Sequence, residues 1–421
     1  MAEFTFGPFL LNTETSRLTR EGQALPLRPR AFHLLQVLLE HAGTLLDRDK
    51  LLAAAWGRTH VSPHTVDVTV SDIRRQLGEY SHWLIGRPKW GYALELPRAD
   101  ALVRQGWHLW SQRTRAGCEQ AVDCFARAIA ETPSDFRAFE GLSASYLALA
   151  IFSIRCPLDL YPLFLEAHDR AVALSGMTPE LRCNRAFATF VFESELAESE
   201  AELLRALNDK PTLACAYVRL GLLYGSLRRF DAALDILDRG NRFDPLLPTL
   251  AASEVLVRCW QRDFDGAVRV GAQAVSLHPY LHVIRANFAK ALQLAGRPDE
   301  ALAQYRMAAV MSPDVPWLAA LEGACQATLG RLRHARAVLE RLEAARRSEY
   351  VDAYFMAKLR LALGQEREAL AELDRAYADN SAWMYALDVD PSFDAVRDDR
   401  AFRRLLRLRA RRRIAPARRS S

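Results

Sequence analysis

The sequence predicts a mainly α protein: a small α+β domain at the N-terminus followed by an all-α solenoid. Two observations carry that reading. From Pro211 onward, residues of the same type return every 34 positions, as Pro211, Pro245, Pro279 and Pro313 do. The first hundred or so residues lack this period and mix short alternating runs with amphipathic stretches. Half of the 421 residues are hydrophobic and a quarter are charged. That composition suits two or more folded domains and argues against disorder as the main character.

The elements follow in order. "FTFGPFLLNTETSRLTREGQALPL" alternates apolar and polar runs around Gly7-Pro8, Asn12 and Glu21-Gly22, which predicts short strands. "RPRAFHLLQVLLEHAG" is an amphipathic helix, entered at Pro29 and left before Gly43. "DRDKLLAAAWG" is a second helix, capped by Asp47 and stopped at Gly57. A third enters through Ser62 and Pro63 and runs through "TVDVTVSDIRRQL". Its Val66, Val70, Ile73 and Leu77 form one stripe for a core, and Val68, Ser71, Asp72 and Arg75 point the other way. An exposed valine among short polar groups and an arginine suits a surface that meets something other than water. "WLIGRPKWGYALEL" then predicts two short strands around a Gly-Arg-Pro-Lys turn, with Trp90 and Tyr92 in the core.

Beyond residue 98 the pattern is helical throughout. Ala233, Ala267, Ala301, Ala335 and Ala369 form a second ladder with the 34-residue period, and Gly296, Gly330 and Gly364 a third. Earlier units keep a weaker phase, and one has a loop lengthened around Arg155 to Tyr161. About eight helical pairs are expected between residues 102 and 380, stacked as a superhelix with a concave inner face. At Gly221 and Ala233 two helices are expected to approach too closely for a larger side chain. Residues 388–406 read as a turn and a closing helix, and the arginine-rich end as a disordered tail. The expected domains are therefore 1–98, 99–387 and 388–421.

Charge is unevenly spread. Residues 1–98 carry 12 Lys and Arg against 10 Asp and Glu, and residues 397–421 carry 11 Arg against two Asp, which leaves the middle at −6 of a total of +5. Attraction to a polyanion is thus local. Seven cysteines, odd in number and without a CxxC pair, read as reduced thiols in a cytoplasmic protein. The N-terminus does not have the form of a signal peptide. The most apolar stretch, residues 142–154, is too short for the roughly 20 residues a bilayer needs.

Three helices between short strands and a terminal hairpin resemble the OmpR-type winged-helix DNA-binding domain. "LRPRAFHLLQVLLEHAGTLLDRDKLLAAAW", "TVDVTVSDIRRQLG" and "RPKWGYAL" match that family's first two helices, recognition helix and wing in order and spacing. The 34-residue unit, typified by "AYVRLGLLYGSLRRFDAALDILDRGNRFDP", resembles the tetratricopeptide repeat. The first resemblance implies that the third helix enters the major groove and the wing reaches the neighbouring minor groove or backbone. On that reading Val68 packs on a thymine methyl and Arg75 reaches guanine or phosphate. Thr65 and Ser71 let the backbones approach. Asp72, where many relatives carry arginine, either accepts from cytosine N4 or orients Arg75. Arg74 either contacts DNA or pairs with Asp67 inside the domain. Arg87 and Lys89 are phosphate candidates in the wing, and Arg58, His60 and His64 flank the loop before the third helix. His60 and His64 mimic a metal pair, but Pro63 breaks the helix between them and no third ligand joins them.

No phosphate loop, zinc-protease motif or nucleophile elbow is present, and no enzyme, metal or cofactor is expected. The resemblances imply a bacterial transcription regulator, an activator, that binds double-stranded promoter DNA and contacts RNA polymerase. It would pair on DNA and use the array for a protein, peptide or small-molecule signal or for self-association. The alternative is an interaction scaffold whose winged helix binds protein. Tyr217 and Tyr224 read as core positions, with Trp317 a third aromatic of the array that could otherwise stack on a ligand.

Overall fold

A computed structural model describes residues 3–20, 23–57, 64–87, 90–96 and 98–410. The chain divides into two compact units, Met1–Gln105 with Arg127–Pro133, and Gly106–Ala126 with Ser134–Ser421.

The first unit opens with an antiparallel meander, β1 (Glu3–Phe6), β2 (Phe9–Asn12), β3 (Arg17–Arg20) and β4 (Gln23–Leu25). Leu11 lies opposite both Phe4 and Leu18. This register turns Phe6, Phe9, Leu11 and Leu18 onto one buried face. Under it pack α1 (Pro29–Glu40), α2 (Arg48–Trp56) and α3 (His64–Leu77). The predicted signals act as expected: Pro29 starts α1, the Asp47 carboxylate accepts from Lys50 N–H at 2.7 Å, and Gly57 ends α2 with φ 60°. Ser62 and Pro63 lie outside the described residues. The wing is β5 (Leu84–Arg87) paired with β6 (Gly91–Leu94). Leu46, between α1 and α2, exchanges two backbone hydrogen bonds with Tyr92, each 2.9 Å, and so ties the wing to the helices. Gly91 makes that approach possible: its φ is 127°, and a Cβ there would sit 1.9 Å from the Leu46 carbonyl oxygen.

Helical pairs follow: α4 (Arg98–Ser111) with α5 (Arg115–Glu131), α6 (Phe136–Ile151) with α7 (Pro157–Ser175), α8 (Pro179–Ala188) with α9 (Leu196–Asp209), and α10 (Ala214–Ser226) with α11 (Phe230–Phe243). Then come α12 (Pro248–Gln261) with α13 (Phe264–Leu277), α14 (His282–Leu294) with α15 (Pro298–Met311), α16 (Pro316–Thr328) with α17 (Leu332–Ala345), and α18 (Ala353–Ala362) with α19 (Glu366–Ala378). These are tetratricopeptide-type pairs. A Cβ on Gly221 would meet the Leu237 side chain at 2.6 Å, and Ala233 is fully buried, which is the close approach the sequence required. Of the lengthened loop expected around Arg155 to Tyr161, Arg155 and Cys156 lie in the connection and Pro157 to Tyr161 are already helix. Pro157 at the first helical position starts α7 early, because its fixed φ suits a helix start.

The second unit departs from an open superhelix. Its early pairs meet the stretch that leads into α18: Arg115 at the start of α5 bonds Glu349 at 3.0 Å, and Ser153 between α6 and α7 donates to the buried Asp352 at 2.6 Å. The inner face is occupied by the chain's own C-terminal segment, in two short 3-10 turns at Ala382–Ala386 and Pro391–Val396. Tyr385 packs against Phe190 and Trp260, and Asp390 is held between Lys290 at 3.0 Å and Lys358 at 2.6 Å. Helix α20 (Arg400–Ala410) then closes the array, burying Phe402 and Leu405. The arginine-rich end beyond it lies outside the described residues. No helix among the described residues is long and apolar enough to cross a membrane.

Candidate nucleic-acid interface

Helix α3 has two faces of different chemistry. Val66, Val70, Ile73 and Leu77 are all fully buried, so the apolar stripe seats the helix. Turned away from it, Val68 is 49% exposed. Thr65 beside it is half-buried and Ser71 exposed. Ser71 on this face is held close to the helix itself, donating to the Asp67 carbonyl at 3.0 Å, as does the buried Thr69 to the Thr65 carbonyl at 2.8 Å.

Asp72 decides the charge of this face. Its carboxylate accepts from Arg75 at 2.8 Å and lies 3.7 Å from Arg28, the residue just before α1. That contact is the geometry the orienting role requires, one of the two the sequence left open. Arg75 is held over the face with its guanidinium exposed, and the exposed Arg28 joins it. Sequence reasoning missed Arg28, since only folding brings the start of α1 beside the second half of α3.

Arg74 is placed differently from either sequence expectation. It turns inward and donates to the Leu84 carbonyl of the wing from Nε at 3.2 Å and Nη2 at 2.6 Å, with its guanidinium beside the Tyr92 ring. The expected Arg74–Asp67 pair is absent because Asp67 is already engaged. It accepts from Arg48 at 3.0 Å and from the Tyr92 hydroxyl at 2.6 Å. That hydroxyl, more than Arg48, holds the Asp67 carboxyl below the ordinary range, while burial and the Asp67 partner push the Tyr92 phenol up. Asp67 therefore joins α2, α3 and β6, and Arg74 joins α3 to β5. Between them they fix the wing against the helix.

In the wing, Arg87 is exposed at the end of β5. Lys89, Arg58 and His60 lie outside the described residues. His64 is exposed and its ring nitrogen sits 3.9 Å from Asp67, so a carboxylate does neighbour it. Tyr92 is core as expected, but Trp90 is not: 72% of it is exposed. Trp90 belongs to the turn before Gly91, outside the strand alternation that buries Tyr92, and its N–H bonds the Arg87 carbonyl at 3.0 Å. Its place in a hairpin tip was the available signal. Val68, Arg75 and Arg28 thus lie on the helix side, with Arg87 and Trp90 on the wing, as apolar, cationic and aromatic groups on open surfaces.

Residues 22–94 match the family described as "Transcriptional regulatory protein, C terminal". The chain is 32% identical over 95 residues to the transcriptional activator CadC of Escherichia coli K12, which covers 22% of this chain and 19% of that protein. It is 34% identical over 79 residues to the response regulator PmrA of Pseudomonas aeruginosa, covering 18% of this chain and 36% of that one. The shared segment spans about a fifth and about a third of those relatives. Human IFIT1, solved as a dimer with PPP-AAAA, aligns over 84% of this chain and 91% of its own at 15% identity and a TM-score of 0.50. Its complex with m7Gppp-AAAA gives 0.51. At that identity the likeness is one of fold. The N-terminal domain is of the OmpR type, and a tetratricopeptide-type array follows it.

Proposed function

We propose, from an OmpR-type domain joined to a tetratricopeptide-type array, that this chain regulates transcription by binding promoter DNA through its first domain. The outward face of α3 carries the reading: an exposed Val68 between short polar side chains, with Arg75 and Arg28 oriented by Asp72. Val68 then packs on a thymine methyl and Arg75 reaches guanine or phosphate, with Thr65 and Ser71 permitting close approach. Arg87 and Lys89 contact backbone phosphates. Asp72 acts through Arg75. Arg74 serves the wing's position through the Leu84 carbonyl and does not contact DNA. The array takes the signal, and the protein acts as an activator in the cytoplasm, pairing on DNA beside RNA polymerase; the name of CadC supports the activating sense.

The test is genome-wide mapping of bound DNA for the intact protein beside a variant with Val68, Arg75 and Lys89 changed to Ala, at one salt concentration. Discrete sites sharing a repeated motif are expected, and the variant should lose them. Occupancy indifferent to the three changes would sink the reading and make the winged helix a protein-binding module.

A further inference from the structure

Inside the array lies a cavity of about 190 Å³. An apolar cavity near 150 Å³ is known to hold a benzene ring, so the space suits a molecule with one ring or a short chain. Its walls are aromatic: Trp110, Trp317, Phe355, Trp383 and Tyr385 all line it. Trp317 stacks on Phe355 at 5.5 Å, and Trp383 meets Phe355 edge-on at 5.4 Å. Trp383 and Tyr385 come from the C-terminal segment that fills the inner face, so that segment supplies part of the cavity wall.

The charged residues lining the cavity are Arg113, Arg219, Lys290 and Lys358, all cationic, and no Asp or Glu lines it. Lys290 and Lys358 share a single carboxylate, Asp390. Arg219 has no carboxylate partner among the described residues: it bonds the Asn184 side-chain oxygen at 2.6 Å and the Cys183 sulfur at 2.9 Å and lies over the Phe187 ring, and the bond from Cys183, with Arg219 nearby, brings the Cys215 thiol of the same wall down to about 6. Arg113 sits 3.9 Å over the Trp110 ring, near Phe152, with no carboxylate partner among the described residues. Burial presses the Arg113 guanidinium down to about 10 and the Lys358 ammonium to about 8. Four cations share few anions here, two lysines one carboxylate and Arg113 none among the described residues, and partly desolvated cations short of anions are costly. A protein that keeps them around an apolar space offers an anion a site that is already prepared.

We infer that this cavity binds a small carboxylate with an apolar, single-ring or short-chain body, its ring among the tryptophans and its carboxylate toward Arg113 and Arg219. The inference rests on the reading that the array takes a signal, and it names the chemistry of that signal. A carboxylate pairs with guanidinium in two-pronged geometry, and the aromatic walls hold the body.

The test is calorimetric titration of the full chain with phenylacetate, benzoate and hexanoate, with 2-phenylethanol as the neutral isostere and inorganic phosphate as the bare anion. At least one carboxylate should bind saturably, one per chain, at least tenfold more tightly than the alcohol or phosphate. Arg113→Gln, which removes no side-chain hydrogen bond found among the described residues, should narrow that gap. Val218→Trp, which fills the cavity, should abolish binding while the thermal unfolding transition stays cooperative. Absence of binding by all three acids, equal binding of acid and alcohol, or preference for phosphate overturns the inference. DNA occupancy is measured separately with and without the acid. Binding with unchanged occupancy leaves the site standing and removes the signal reading, and calorimetry decides the site even if no DNA is bound.

Discussion

Arg74 and Arg75 are adjacent in sequence and differ in role because successive helical residues point about 100° apart. Arg74 holds the wing through two hydrogen bonds to one carbonyl, and Arg75 stands exposed in a surface pair with Asp72. Charge-assisted bonds to a partly buried carbonyl contribute about 1 to 3 kcal/mol, whereas exposed ion pairs contribute about 0 to 1 kcal/mol. Arg74→Ala should therefore lower the domain's unfolding free energy by about 1 to 2 kcal/mol, and any loss of DNA binding should follow that destabilisation. Arg75→Ala should leave stability within about 0.5 kcal/mol. It should weaken DNA binding directly, since it also leaves the Asp72 carboxylate facing phosphate without its nearest partner. Urea unfolding and DNA titration of both variants, side by side, check the pair; the reverse pattern would mean the two roles are exchanged.

At the scale of the element, the repeat carries a backbone rule as well as a packing rule. Ser194, Arg228, Arg262, Gly296, Gly330 and Gly364 are each 34 residues apart and all have positive φ, between 59° and 77°. The turn between the helices of each of these pairs demands the left-handed conformation, which glycine adopts without penalty and other residues at about 1 kcal/mol or more. Gly330 is open to solvent, and no neighbouring group lies within 4 Å of where a methyl group would sit, so Gly330→Ala isolates the backbone cost. It should destabilise the array by about 1 kcal/mol in urea unfolding. Arg262 accepts the same cost for its side chain, which reaches the Val389 carbonyl at 2.9 Å and Asp394 at 2.7 Å in the inner segment. Arg228 does likewise with Asp388. Where the ladder changes from glycine to arginine, the repeat gains a hand on the segment that fills it.

For the second unit as a whole, Asp390 is the group on which inner segment and array depend. It is almost fully buried, accepts from Lys290, Lys358 and the Tyr354 hydroxyl, and is held well below the usual carboxylate range because the two ammonium groups outweigh its burial. Removing one partner of a buried charge set costs more than the pair ever contributed. Asp390→Asn leaves two buried cations unmatched and should cost about 3 to 5 kcal/mol. Lys290→Met leaves one cation facing one anion and should cost clearly less. Thermal unfolding of the two variants tests the order; equal losses would show that the charge balance is not what holds the segment.

The amino-acid sequence by itself determined what depends on local periodicity and near neighbours. The caps at Asp47 and Gly57, the stripe from Val66 to Leu77, the 34-residue ladders and the outward position of Val68 are all set by spacing along one helix or one turn. Tertiary structure alone decided which distant groups meet. Arg28 reaches Asp72 across α1 and α3, Arg74 finds a wing carbonyl instead of Asp67, and Trp90 stays outside because its turn does not follow the strand's alternation. Residues 382–396 filling the inner face is of the same kind: it places Asp390 between lysines 32 and 100 positions away. No pattern in sequence marks such a meeting, because its energy comes from desolvated charges and shape brought together only when the pairs stack. Periodicity specifies each helix and its exposed side; closure of the array specifies what that side encloses.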